Sequence, residues 1–246
     1  MEIQLGTDVG QRRKNNEDYA AYFYNEDGQL LVLLADGMGG HQAGDIASRS
    51  VVENLGALWK QTDALNVTQA SDWLWAQIQL ENKKIVDQWY EDENKYGMGT
   101  TIIALAVIRS HVVIAHVGDS RVYLLNEQGI QQITEDHSLI NILLKNGEID
   151  EEMAANHPKK NMLTSTVGME GPMEIETCVH KKNSGYFLLC SDGLSSMLTP
   201  EEIYQCVMEE KDLSTAVQRL LLLANEAGGY DNITVALLDC EGKEEE

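Results

Sequence analysis

Four aspartates in this 246-residue sequence stand at the ends of apolar runs. Asp36-Gly37 follows Leu30 to Ala35, and Gly118-Asp119-Ser120 follows Val112 to Val117. Ser191-Asp192-Gly193 follows Tyr186 to Cys190, and Asp231-Asn232 comes immediately before Ile233-Thr234-Val235-Ala236. One Asp-Gly after a strand is ordinarily a turn. Four at the mouths of buried strands mean more if those strand ends converge. Crowded carboxylates raise one another's pKa unless something neutralises them, and a divalent cation is the ordinary solution. The donors are oxygens, with no Cys or His cluster among them, which suits hard, octahedral Mg²⁺ or Mn²⁺ rather than zinc. Gly37 leaves room for its own carbonyl to join the set. Such a set suffices for two ions, an arrangement that activates a bridging water and clamps both ends of a phosphoryl displacement. The stretch Arg13-Lys14-Asn15-Asn16-Glu17-Asp18 adds an arginine just before two acids. A guanidinium there can hold phosphate oxygens in bidentate fashion.

The elements that must position these residues follow from periodicity. Ile3, Leu5, Thr7 and Val9 alternate as in a half-buried strand. Leu30–Ala35, Thr100–Ile108, Val112–Val117 and Ile233–Leu238 are apolar, β-branched or both, strand-length, and bounded by Gly, Asp or Asn. Helical spacing appears in Ala47, Val51, Leu55 and Leu58, in Leu74, Ile78, Ile85 and Trp89, and in Leu213, Val217, Leu220, Leu221 and Ala224. Thr199-Pro200-Glu201-Glu202 reads as a helix start, with Thr199 as cap and Glu202 closing a capping box. Strands are grouped rather than alternating strictly with helices, which favours antiparallel sheets covered by helices over a doubly wound parallel sheet. The polar stretch Ser138 to Gly168 predicts a flap or small subdomain.

Composition narrows the partners. The formal charge of −22 repels nucleic acid and anionic lipid and leaves a nuclease without its basic groove. Cys178, Cys190, Cys206 and Cys240 make no CxxC pair, so neither a disulfide framework nor a zinc site is expected. No basic-then-apolar leader opens the sequence. No apolar run approaches the roughly 18 residues needed to cross a bilayer. A cytoplasmic monomer is expected. With three prolines and no Pro/Gly/Ser-rich linker, one catalytic domain over residues 1–240 is expected, followed by an acidic tail at 241–246.

These motifs, in order along nearly the whole chain, resemble the type 2C metal-dependent serine/threonine protein phosphatases. The segments are Arg13 to Asp18, Ala35-Asp36-Gly37-Met38-Gly39-Gly40-His41, Gly99-Thr100-Thr101, Val117-Gly118-Asp119-Ser120-Arg121, Ser191-Asp192-Gly193-Leu194 and Asp231-Asn232-Ile233-Thr234-Val235. The Met-Gly-Gly-His form is similar to the bacterial branch, whose members often partner membrane-anchored serine/threonine kinases. The resemblance implies an α+β fold with a central sandwich of two antiparallel sheets flanked by helix pairs, α-β-β-α, with 138–168 as the flap. It implies hydrolysis of phosphoserine and phosphothreonine in proteins by a metal-bridging water, with Mn²⁺ or Mg²⁺ as two core ions plus a third. Asp36, Asp192 and Asp231 would hold the first ion. Asp36, the Gly37 carbonyl and Glu17 would hold the second, partly through water. Asp119 with Asp192 would hold the third, Asp18 would orient the water, and Arg13 would bind substrate phosphate. Two departures stand out. Met38 occupies the place where animal members carry a histidine acid, which leaves His41 as either the substitute acid or a structural residue. A basic residue near Ser165, frequent in bacterial members, is absent.

Overall fold

The computed structural model describes residues 1–39, 43–182 and 185–240. Strands and α-helices are numbered in chain order. One sheet runs β1 (Glu2–Asp8), β11 (Ile233–Asp239), β10 (Tyr186–Cys190), β7 (Arg121–Asn126), β8 (Gly129–Gln132). The other runs β2 (Asp18–Tyr24), β3 (Leu30–Met38), β5 (Ile102–Ile108), β6 (His111–Val117), β9 (Glu176–Lys181), with the short β4 (Gly99–Thr100) on the end of β3. Each of these pairings is antiparallel.

The two-residue period of a strand explains the layering. Leu30, Val32 and Leu34 point between the sheets and meet Val122, Phe187, Leu189 and Ala236 of the facing sheet. Leu31, Leu33 and Ala35 point the other way. They pack beneath α1 (Ala43–Trp59) and α2 (Val67–Glu91) against Val51, Leu55, Leu74 and Ile78. β3 is therefore buried on both faces, which is why its sequence is continuously apolar rather than alternating. On the outer side of the second layer, Leu188, Cys190, Val235 and Leu237 pack against α5 (Asp192–Ser195), α6 (Pro200–Glu209) and α7 (Leu213–Glu226). Each fully buried Leu or Val contributes about 1.5–3 kcal/mol, so these three apolar layers hold the strand ends in place. The result is the α-β-β-α sandwich.

The predicted helix start at Thr199 forms as read: its side chain accepts from the Glu202 backbone, and Glu202 accepts from the Thr199 N–H at 2.8 Å. Elements without a clear period were not legible. β2 is rich in Tyr and Ala, and β9 is a polar strand at a sheet edge. The stretch 138–168 contains α3 (Leu139–Lys145) and α4 (Glu151–Ala155). The tail 241–246 lies outside the described residues. Among the described residues no helix is long and apolar enough to cross a membrane.

Candidate metal centre

Antiparallel pairing brings the acids to one edge of the sandwich. Asp36 lies near the end of β3, and the register places Asp18, the first residue of β2, directly opposite it. Asp36 is thus a strand residue rather than a turn residue. Asp119 follows β6 in the same sheet. From the facing sheet, β10 leads into Asp192 at the first position of α5, and Asp231 stands just before β11. Asp36, Asp119, Asp192 and Asp231 line one cleft of about 230 Å³, with Arg13, Gly37 and Thr101 beside them and Asn161 and Leu163 entering from the 138–168 stretch.

Neutral polar side chains fix the strand ends. Thr101 Oγ1 accepts the Asp36 N–H at 2.9 Å and meets Ser120 Oγ at 2.8 Å, while Thr100 Oγ1 donates to the Asp36 carbonyl at 2.8 Å. Ser191 Oγ donates to Asp18 Oδ2 at 2.8 Å and accepts from the Thr234 N–H at 3.0 Å, which joins the two sheets. Asn232 accepts the Glu17 N–H and donates to the carbonyls of Val9 and Asn15, each at 2.9 Å. Gly37 donates its N–H to the Glu17 carbonyl at 3.1 Å. A Cβ on Gly37 would collide with the backbone carbonyls of Gly44 and Glu17. Only glycine lets β3, the Glu17 loop and the start of α1 approach this closely.

The electrostatics are those of crowded, buried carboxylates. Asp18 Oδ1 and Asp192 Oδ1 are buried without a hydrogen-bond partner, an arrangement that ordinarily costs about 1–3 kcal/mol or more. Burial, then neighbouring acids, pushes Asp18 up to about 7 despite its bond from Ser191. Burial and Asp192 push Asp119 up to about 7. Burial and Asp231 push Asp192 up to about 6. Asp36 is held well above the carboxylate range by burial and by Asp18, Asp192 and Asp119. Burial also raises Glu17, with Asp45 adding to it against the pull of Arg13. Arg13 is partly desolvated, yet its 2.7 Å bond from Nη2 to Asp231 Oδ2 strengthens its charge. Orphaned oxygens, an all-oxygen donor set and mutual repulsion fit hard divalent cations.

A second group of donors, His116, His137 and Glu176, has atoms within 4.8 Å of one another. The two rings stack with centroids 4.7 Å apart and planes inclined by 21°. A ligated ion lies in the plane of its imidazole, so two offset, nearly parallel rings do not aim at one point. One nitrogen of each ring is also engaged: His116 Nε2 donates to the Glu135 carbonyl at 2.8 Å, and His137 Nδ1 accepts the Gly118 N–H at 3.2 Å.

Arg13, Asp36, Gly37, Asp119, Asp192 and Asp231 thus line one cleft, with Asp18 and Glu17 tied to it through Ser191, Asn232 and Gly37. His41 lies outside the described residues. The supporting Thr101, Ser191 and Asn232 were visible only as motif members without a role. Their signal is a polar residue at the very end of an apolar strand. Asp45, with a buried orphaned Oδ1, and Asn161 were not singled out.

Residues 5–237 match the family model of protein phosphatase 2C. The chain is 42% identical to the protein phosphatase PhpP of Streptococcus pneumoniae over the full length of both. It is 45% identical to a serine/threonine phosphatase of S. agalactiae, whose structure superposes with a TM-score of 0.93 over 96% of this chain and 98% of that one. The catalytic domain of the serine/threonine protein phosphatase PstP, solved in complex with two manganese ions, is 30% identical, with a TM-score of 0.85 over 97% of each chain. The chain belongs to the protein phosphatase 2C family and is a serine/threonine phosphatase.

Proposed function

We propose that the cleft hydrolyses phosphoserine and phosphothreonine in proteins with two Mn²⁺ or Mg²⁺ ions, and that a third ion binds more weakly at its edge. The observation that carries this reading is the convergence of Asp36, Asp119, Asp192 and Asp231 with buried, orphaned carboxylate oxygens and an arginine at the rim. The two manganese ions of the related PstP support it. Asp36, Asp192 and Asp231 would hold the first ion, and Asp36, the Gly37 carbonyl and Glu17 the second. Asp119 and Asp192 would hold the third. Such an ion pair, when bound, supplies a nucleophilic water at neutral pH and offsets charge on the phosphoryl group.

The protein's own groups do the rest. Asp18 Oδ1 would accept a hydrogen bond from the attacking water, while Ser191 holds the other oxygen of Asp18 still. Arg13 has spent one N–H on Asp231 and has others free for phosphate oxygens. The flap 138–168 borders the cleft through Asn161 and Leu163. The leaving serine or threonine oxygen takes a proton from a cleft group or from water, and His41 is the candidate acid. No cysteine serves as nucleophile: burial pushes Cys190 up to about 12 and Cys178, Cys206 and Cys240 up to about 11. Transfer is therefore direct, with inversion at phosphorus.

EDTA should abolish phosphopeptide hydrolysis, and Mn²⁺ or Mg²⁺ but not Zn²⁺ should restore it. Activity surviving exhaustive chelation, or a trapped phospho-enzyme, would overturn this reading. The enzyme is further assigned to the cytoplasm as a monomer, opposing a membrane-anchored serine/threonine kinase. Dephosphorylation of that kinase's autophosphorylated domain is the direct check.

A further inference from the structure

The chain carries 40 acidic against 18 basic side chains, yet Arg12, Arg13, Lys14, Lys159 and Lys160 fall in two short stretches. The first stretch forms one lip of the carboxylate cleft. Its backbone is pinned at both ends: the Gln11 N–H donates to the Gly229 carbonyl at 2.7 Å, and the Asn15 carbonyl accepts from Asn232 at 2.9 Å. Between these anchors Arg12, Arg13 and Lys14 are exposed. Arg12 lies 5.7 Å from the centroid of the exposed ring of Tyr230, the neighbour of Asp231. The second stretch reaches the same cleft through Asn161. Lys159 and Lys160 are exposed in the turn that leads directly to Asn161, which lines the cleft. That turn is also anchored, because Leu139 donates to the Met162 carbonyl and Thr164 to the His137 carbonyl, each at 2.9 Å.

Among the described residues Arg12, Lys14, Lys159 and Lys160 join no ion pair, although Glu151 and Glu152 lie on the short helix α4 just before the second stretch. Two pinned, cationic stretches beside one cleft place local positive charge on a chain of net charge −22. Such charge raises the local concentration of anions and repels cations over about 10 Å at 0.1 M salt.

We propose that these two stretches select phosphoproteins whose phosphoserine or phosphothreonine is flanked by Asp or Glu, with Arg12 and Lys14 reading one side of the phosphoresidue and Lys159 and Lys160 the other. The proposal rests on the phosphatase reading of the cleft. Arg13 faces the phosphate itself and is not part of the flank readout. Exposed charge pairs contribute little each, so the selection is cumulative, about two- to fivefold per pair.

The test measures kcat/KM of the Mn²⁺-loaded enzyme on three phosphothreonine peptides that differ only in Glu, Ala or Lys flanks. The wild type should prefer Glu over Ala over Lys, with about tenfold between the extremes, and the spread should shrink as salt rises. The double variants Arg12→Glu/Lys14→Glu and Lys159→Glu/Lys160→Glu should each compress or invert that order, and the Lys-flanked peptide should gain. Equal turnover of the three peptides by the wild type, or an order that survives both charge reversals, would overturn the proposal. Failure to turn over any peptide would instead strike at the phosphatase reading on which it rests.

Discussion

The carboxylate cleft and the His116–His137–Glu176 group lie on either side of the Gly118-Asp119 turn, and each gathers side chains that bind metals in other proteins. A larger hollow, about 480 Å³, opens beside His137 and Glu176, and the carboxylates have about 230 Å³. Size therefore points the wrong way. The difference lies in what the polar atoms still lack. In the cleft, Asp18 and Asp192 keep orphaned oxygens and the acids push one another's pKa upward. In the histidine group, one ring donates to a carbonyl, the other accepts from a backbone N–H, and the stacked planes do not converge. Burial also lowers the pKa of His137, with His116 adding to the effect. A gathering of ligand-type residues is thus a site only where geometry converges and polar demand is unmet.

Breaking the cleft directly should have the largest effect. Asp36→Asn is expected to cost more than about 100-fold in activity, since merely disturbing a ligand's support commonly costs that much. Calorimetric titration should show Mn²⁺ affinity lost with it, while the metal-free fold gains stability because a repelled, buried charge is gone. A metal-free Tm that falls instead would mean that Asp36 is structural.

Titration sharpens the comparison next. A carboxyl raised to about 7 in the fold, against roughly 4 in the unfolded chain, favours folding least when charged. Stability is full below the unfolded value and is lost as pH rises through the folded one. The EDTA-treated protein should therefore lose Tm between about pH 4 and 7, and Mn²⁺ should raise Tm more at pH 8 than at pH 5. A Mn²⁺ effect independent of pH would contradict the stored repulsion.

Arg13→Ala should lower kcat/KM on phosphopeptide about tenfold or more, the usual worth of a charged hydrogen bond. A rise in KM marks ground-state phosphate binding, whereas a loss confined to kcat marks a contact made in the transition state. Asp119→Ala should have a milder effect, emptying only the proposed third-ion site and slowing phosphopeptide turnover a few-fold. Anomalous scattering from Mn²⁺-soaked crystals checks the occupancy, and three ions remaining, or loss of the first two, would refute that division. The smallest effect on metal belongs to His116→Ala. It should destabilise the fold by about 1–3 kcal/mol through the stranded Glu135 carbonyl and leave bound Mn²⁺ stoichiometry unchanged by elemental analysis. A lost ion would show that the histidine group holds metal after all.

By itself the sequence determined the elements with a strong period and the acids at their ends. Leu30 to Ala35 reads as a buried strand because it is too short for a helix and is bounded by turn-forming residues, and Asp36 follows directly on it. Thr199 to Glu202 is likewise a local device, complete within one helical turn. Tertiary structure alone decided the rest. Asp18 becomes Asp36's partner through the register of β2, a strand whose Tyr- and Ala-rich sequence has no telling period. Ser191, Thr101 and Asn232 acquire their roles only once segments 173, 65 and 215 residues apart in sequence meet along one edge. The raised carboxyls and the orphaned oxygens have the same origin, since Coulomb repulsion and desolvation depend on distances in space, which no spacing along the chain records.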